Sequence, residues 1–279
     1  MLIASFLTIV LFGIFFRTDS FGKDVKSTYL ALTPQIETEV PGFKEYLENG
    51  NLNVKVIDYG PDAEIVTECV DISKLATRKG IKSFANRLYF GKDLTQTPVA
   101  GRIWYPEGKT KCPVLFIVHG NHDFTVPSYL GYDYLGEYLA SNGYVVVSVD
   151  ENYVNELSNE NDARAYLFLE NIGAILESNA QKDSPIYNLI DPANIAVAGH
   201  SRGGESVSTA FLFNDFSAYP DNGNIKLSYD FKIKSVIAIA PTVDQYMPAN
   251  HAVEIEDVRI RPCHRNRRAG KSPQVCVAP

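Results

Sequence analysis

Ser201 lies within Gly199-His200-Ser201-Arg202-Gly203-Gly204, between the apolar run Asn194–Ala198 and a helical pattern that begins at Arg202 with no linker. Few sequence features restrict a fold more. A chain that passes from strand to helix in so few residues must turn so tightly that flanking side chains would strike the neighbouring strand and helix. Glycine at 199 and 203 removes that obstacle. The turn raises the serine hydroxyl above the sheet edge, at the positive end of a helix dipole. The junction therefore predicts a sheet whose strands alternate with helices.

The surrounding pattern agrees. Val99–Tyr105 reads as a strand ending at Pro106, and Val114–Val118 as a strand buried on both faces. A helix follows over Tyr132–Ser141, with Leu135 and Leu139 one turn apart, and Asn142-Gly143 stops it. Tyr144–Val149 is the next buried strand. Asn161–Ser178 is a long helix with Ala165, Leu169, Ile172 and Leu176 on one stripe. Ile195–Ala198 and Ser235–Ala240 complete the strands, with a helix from Arg202 to about Leu212 between them. Such alternation implies right-handed crossovers and a mostly parallel sheet with helices on both faces. Residues 18–95 are weaker, with strand-like stretches at Leu52–Ile57 and Ala63–Val70 and a helix near Ile81–Phe90.

This divides the chain into a signal or membrane anchor (1–20), edge strands and connections (21–98), a core (99–258) and an atypical basic tail (259–279). Leu2–Phe16 is fifteen residues without a charge, followed by Arg17. It lacks a basic leader and an A-x-A site, and falls short of the about 20 residues of a spanning helix. An anchor fits best, placing the protein outside the cytoplasm, membrane-anchored or secreted. The net charge of −7 excludes a nucleic-acid surface, which needs clustered Lys and Arg. Cys69, Cys112, Cys263 and Cys276 form no CxxC pair and no zinc spacing, so no metal or other cofactor is expected. Cys69 and Cys112 either bridge in an oxidising compartment or remain buried thiols.

In its strand–turn–helix context, G-x-S-x-G is the nucleophile elbow of the α/β-hydrolase fold, with Ser201 as nucleophile. In that arrangement one oxyanion donor is the backbone N–H after the nucleophile, here Arg202. The other comes from the loop after an inner strand, here Asn121 in His119-Gly120-Asn121-His122-Asp123. His119 and His122 read as loop-packing residues, and Asp150 and Asn152 as turn caps. Arg202 and Glu205, i and i+3, are expected to pair locally.

Val99 to Ala249 resembles bacterial exported or membrane-anchored α/β-hydrolases of the lineage that includes platelet-activating-factor acetylhydrolase, chlorophyllase and polyester hydrolases. The stretches that carry the resemblance are Val118 to Asp123, Gly131 to Leu135, Ser148 to Asn152, Gly199 to Glu205 and Ala238 to Thr242. It implies a serine esterase that cleaves carboxylic esters, small, lipid or polymeric, through an acyl-enzyme on Ser201. A triad also needs an acid and then a histidine after the serine. Asp244, just past Ser235–Ala240, fits the acid position of the acetylhydrolase branch. The histidine has no counterpart: His251 and His264 follow no terminal strand.

Beyond Val258 residue usage changes. Arg259–Pro279 holds six of the 26 Lys and Arg residues and none of the 33 acids, so it carries +6 against −13 for the rest. It reads as an out-of-frame or foreign tail on a truncated core that lacks its last strands. The alternative function is thus a catalytically silent hydrolase-like scaffold without the triad histidine.

Overall fold

Buried runs of β-branched residues build the centre of the sheet. The structure is a computed structural model and describes residues 48–243 and 245–247. The expected anchor, Asp244, His251, His264 and the basic tail lie outside the described residues.

In chain order the elements are β1 (Val54–Gly60), β2 (Ile65–Val66), β3 (Cys69–Val70), α1 (Gly80–Phe90), β4 (Thr97–Pro98), β5 (Gly101–Pro106) and β6 (Cys112–Val118). They continue as α2 (Asp133–Ser141), β7 (Val145–Val149), α3 (Glu160–Ala180), β8 (Ile190–His200), α4 (Arg202–Phe213), β9 (Ala218–Tyr219), β10 (Asn222–Lys226) and β11 (Ile233–Ile239). Seven strands form the main sheet in the order β11-β8-β6-β7-β5-β1-β2. Strands β11, β8, β6 and β7 run parallel; β5 is antiparallel to both β7 and β1. This is the α/β-hydrolase fold, as the sequence leads one to expect.

Strands β6 and β7 are buried on almost every residue, which explains why they read as unbroken apolar runs. Odd and even positions feed two separate cores. Leu115, Ile117, Val146 and Ala198 join Trp104 and Ala140 under α2. Phe116, Val118, Val145, Val147 and Val197 face α3 and α4 instead, where Phe116 meets Phe168 edge-on at 6.5 Å. The sequence stripe on α3 is real but too narrow. Leu167, Phe168 and Ile175 are also fully buried, because α4 and the segment around Phe231 cover the flanks of α3.

Strand β8 starts at Ile190, five residues before the run that marks it in sequence. Near its start Asp191 accepts from the Ala193 N–H at 3.0 Å, a turn-like contact inside a strand. Ile190 nonetheless pairs with Cys112 across a register shift. The β9–β10 ribbon was not expected; its polar sequence, Asn222–Lys226, shows no alternation. Cys69 and Cys112 are free thiols, Cys112 buried.

The order of the strands fixes where a site can form. The chain goes from β6 to β7 on one side, then crosses by α3 to β8 on the other side of β6. Loops leaving β6 and β8 therefore diverge, and a crevice opens at their carboxyl ends.

Candidate active site

Ser201 stands at that crevice with φ 56° and ψ −123°. A non-glycine residue at positive φ is strained, and it persists only where its surroundings over-determine it. Here they do. The Ser201 N–H donates to Ile239 at 3.0 Å, and its carbonyl accepts from Gly204 at 2.9 Å and Thr242 at 3.1 Å. The elbow is thus tied to the end of β11 as well as to its own helix. A Cβ at Gly199 would lie 2.1 Å from the Gly203 carbonyl oxygen, and one at Gly203 would lie 2.6 Å from that of His119. Both contacts are impossible, which is the physical reason for glycine at these two positions.

The loop after β6 touches the serine. A Cβ on Gly120 would come within 2.8 Å of Ser201 Cβ and 3.4 Å of its Oγ. Next to it, Asn121 spends its side chain on the scaffold: Oδ1 accepts from the Glu156 N–H at 3.2 Å. His119 is fully engaged. One ring nitrogen, Nδ1, contacts the Gly120 carbonyl at 2.7 Å, and Nε2 accepts from the Glu151 N–H at 3.1 Å. Nδ1 therefore carries the proton and donates. Burial, helped by the Arg164 charge, pushes its pKa down to about 3. His119 is a neutral, fixed ring that shapes the loop and has no free nitrogen for Ser201. The His122 ring lies 6.1 Å from that of His119, and burial lowers its pKa too.

Arg202 departs from expectation. Its Nη1 donates to Glu160 Oε1 at 2.6 Å, at the start of α3, rather than to Glu205. Glu205 is turned away and nearly buried. Its carboxylate accepts from Thr242 Oγ1 at 2.7 Å and from the backbone N–H groups of Gln245 and Tyr246 at 2.5 and 2.9 Å. The i, i+3 pair fails because two backbone donors inside the protein outbid an exposed ion pair. Glu205 thereby braces the loop after β11, on both sides of the Asp244 position, while Asp244 itself lies outside the described residues.

Behind the elbow lies a buried charge network that the sequence did not announce. Arg164, with no exposed surface, donates to Glu151 Oε2 at 2.9 Å, Glu160 Oε1 at 3.3 Å and Asn155 Oδ1 at 2.5 Å. A continuous path results: the Gly120 loop, His119, Glu151, Arg164, Glu160, Arg202. It connects the two segments expected to supply oxyanion donors. Burial raises the Glu151 carboxyl to about 8, against the pull of Arg164. The readable clue was an arginine at 164 inside a helix that is otherwise apolar on that stretch. Asp150 caps the Asn152 N–H at 2.9 Å, as expected of a turn residue, and burial raises it to about 6.

Ser201 Oγ has no hydrogen-bond partner among the described residues. No group of His, Cys, Asp and Glu among them could hold a metal ion. A side cavity of about 430 Å³, lined by Asn161, Asp162, Tyr219, Asp221 and Gln245 among others, does not include Ser201.

Comparison with known families places this geometry. Residues 95–214, less than half the chain, match the family model described as PETase: PET hydrolase-like. No curated protein matches the chain. The match takes in the β6 loop, α3 and the elbow, and it supports an ester hydrolase on an α/β-hydrolase fold.

Proposed function

We propose that this protein is a serine esterase that cleaves carboxylic esters through an acyl-enzyme on Ser201. The observation that carries the reading is the strained Ser201 turn at the sheet's switch point, with Gly120 in contact with it. A serine hydroxyl gives up its proton to a base, and Oγ attacks the ester carbonyl carbon. The backbone N–H groups of Asn121 and Arg202 receive the oxyanion, a contribution of about 3–4 kcal/mol per donor in comparable sites. The alcohol then leaves with a proton, and water releases the acid. Asp244 is the acid of the triad in this reading; the base is a histidine after Ser201 in the chain. Substrates are small, lipid or polymeric esters, and Leu2–Phe16 anchors or exports the protein. No described helix is long and apolar enough to cross a membrane, and Leu2–Phe16 lies outside the described residues.

A second reading has an observation of its own. His119, in the loop that touches Ser201, has both ring nitrogens engaged and cannot serve as its base, so the chain is alternatively a silent scaffold with the elbow intact and the base missing. Hydrolysis of p-nitrophenyl acetate by the full chain and by Ser201→Ala separates them. The esterase reading expects turnover that the substitution abolishes. Turnover equal in both variants, or none in either, rejects it.

A further inference from the structure

Helix α1 is inside out. Its polar residues Ser83 and Asn86 are fully buried, whereas Ile81, Phe84, Leu88 and Tyr89 are 79%, 59%, 68% and 59% exposed. The inward side is held by hydrogen bonds. Asn86 Nδ2 donates to the carbonyls of Tyr153 and Asn155 at 3.0 and 3.1 Å, and Arg78 Nη1 bonds Asn86 Oδ1 at 2.8 Å and the Ser83 carbonyl at 2.9 Å. The helix ends cleanly at Gly91, φ 63°, whose N–H donates to Arg87. It is thus a firmly docked element, and the apolar face it offers to solvent is not fraying. Residues at i, i+3 and i+7 (81, 84 and 88) share one face of a helix.

We propose that α1 seats the protein on the surface of an anionic lipid bilayer. Charge selects that occupant. With Arg78 turned inward, the segment from Lys79 to Lys92 carries Lys79, Lys82, Arg87 and Lys92 and no acid before Asp93, in a chain of net −7. Lys82 and Arg87 flank the apolar stripe and are exposed. They pair only at the surface, with Glu156 at 3.1 Å and Asp93 at 2.8 Å, and such pairs are weak. An apolar stripe between basic flanks is the pattern of a helix lying in a lipid interface. A neutral polymer would gain nothing from the bases. The face also continues onto the β6 loop, whose Gly120 lies against Ser201: Tyr89 packs on Phe124 at 5.6 Å, and Phe124 is followed by half-exposed Val126. A bilayer under α1 would bring the mouth of the elbow to the lipid surface.

The test needs no turnover, so it stands or falls apart from the esterase reading. The chain has one tryptophan, Trp104, buried to 1% exposure. An I81W variant of the full chain therefore reports on α1 alone. With vesicles of phosphatidylglycerol and phosphatidylcholine, its emission should shift to the blue and be quenched by brominated acyl chains. Co-sedimentation of a F84S/L88S variant should fall at least tenfold, and K79E/K82E should fall about fivefold per residue, one ordinary basic contact each. Unchanged thermal midpoints identify these as surface effects. The proposal is overturned by equal binding of wild type and variants, which would assign adhesion to Leu2–Phe16. It is also overturned by a blue shift in dilute protein without vesicles, meaning the chain covers its own helix, or by a dimer that F84S/L88S dissolves. Equal adsorption to phosphatidylcholine or polyester film, insensitive to K79E/K82E, would overturn it too.

Discussion

Replacing Arg164 by methionine tests whether the buried network holds the site together. The methionine fills similar space but leaves Glu151, fully buried, without a counter-charge. Among the described residues Glu151 Oε1 has no hydrogen-bond partner of its own. Removing one member of a buried pair costs about 3–5 kcal/mol. For a folded unit of roughly 200 residues, about 2–4 °C of midpoint accompanies each kcal/mol, so Tm should fall by roughly 6–20 °C. The orphaned Glu151 can relieve itself by taking a proton. Because the wild-type carboxyl already sits at about 8, Glu151 is largely neutral well below that pH. The deficit should therefore be largest at pH 9 and shrink toward pH 6, and the R164M/E151Q double variant should recover much of the loss at pH 9. Urea unfolding of the four proteins at both pH values closes the cycle. A loss under about 1 kcal/mol, or a double variant no better than R164M, would refute the reasoning.

Three further expectations follow from the same geometry. G199A should fail to fold or should lose the elbow, since its Cβ meets a carbonyl at 2.1 Å; a soluble variant with native near-ultraviolet dichroism contradicts this. Asp150 carries a raised folded pKa of about 6, so its contribution to stability is present below about pH 4 and is lost as the pH rises through 6. D150N keeps the acceptor for Asn152 and should be more stable than wild type at pH 7 by roughly 1–3 kcal/mol, with no difference near pH 4. E205A should free the loop after β11, raising amide exchange at Gln245 and Tyr246 by about ten- to a hundredfold; unchanged exchange denies Glu205 its role as a brace.

The sheet and its helices were legible because buried parallel strands and amphipathic helices leave strong periodic marks, as in Val114–Val118 and Asn161–Ser178. The elbow was legible because its glycines answer to steric contacts that few other residues satisfy. Polar interiors left fainter marks. The partner of Arg202 is 42 positions away at Glu160, and no local spacing rule reaches that far. The sequence suggested Glu205 because it is near in the chain, but burial gave Glu205 better donors in the next loop. The outward apolar face of α1 was invisible for the opposite reason. A 3.6-residue period shows that one side of a helix is apolar, and only the fold shows which side meets solvent.

The central claim is that Ser201 is a nucleophile in a formed elbow. The most direct measurement is mass-spectrometric mapping of the full chain after exposure to a fluorophosphonate. One adduct, on the peptide bearing Ser201 and absent from Ser201→Ala, is the predicted result. Labelling spread over other serines, or an unmodified Ser201 after prolonged exposure, would contradict it.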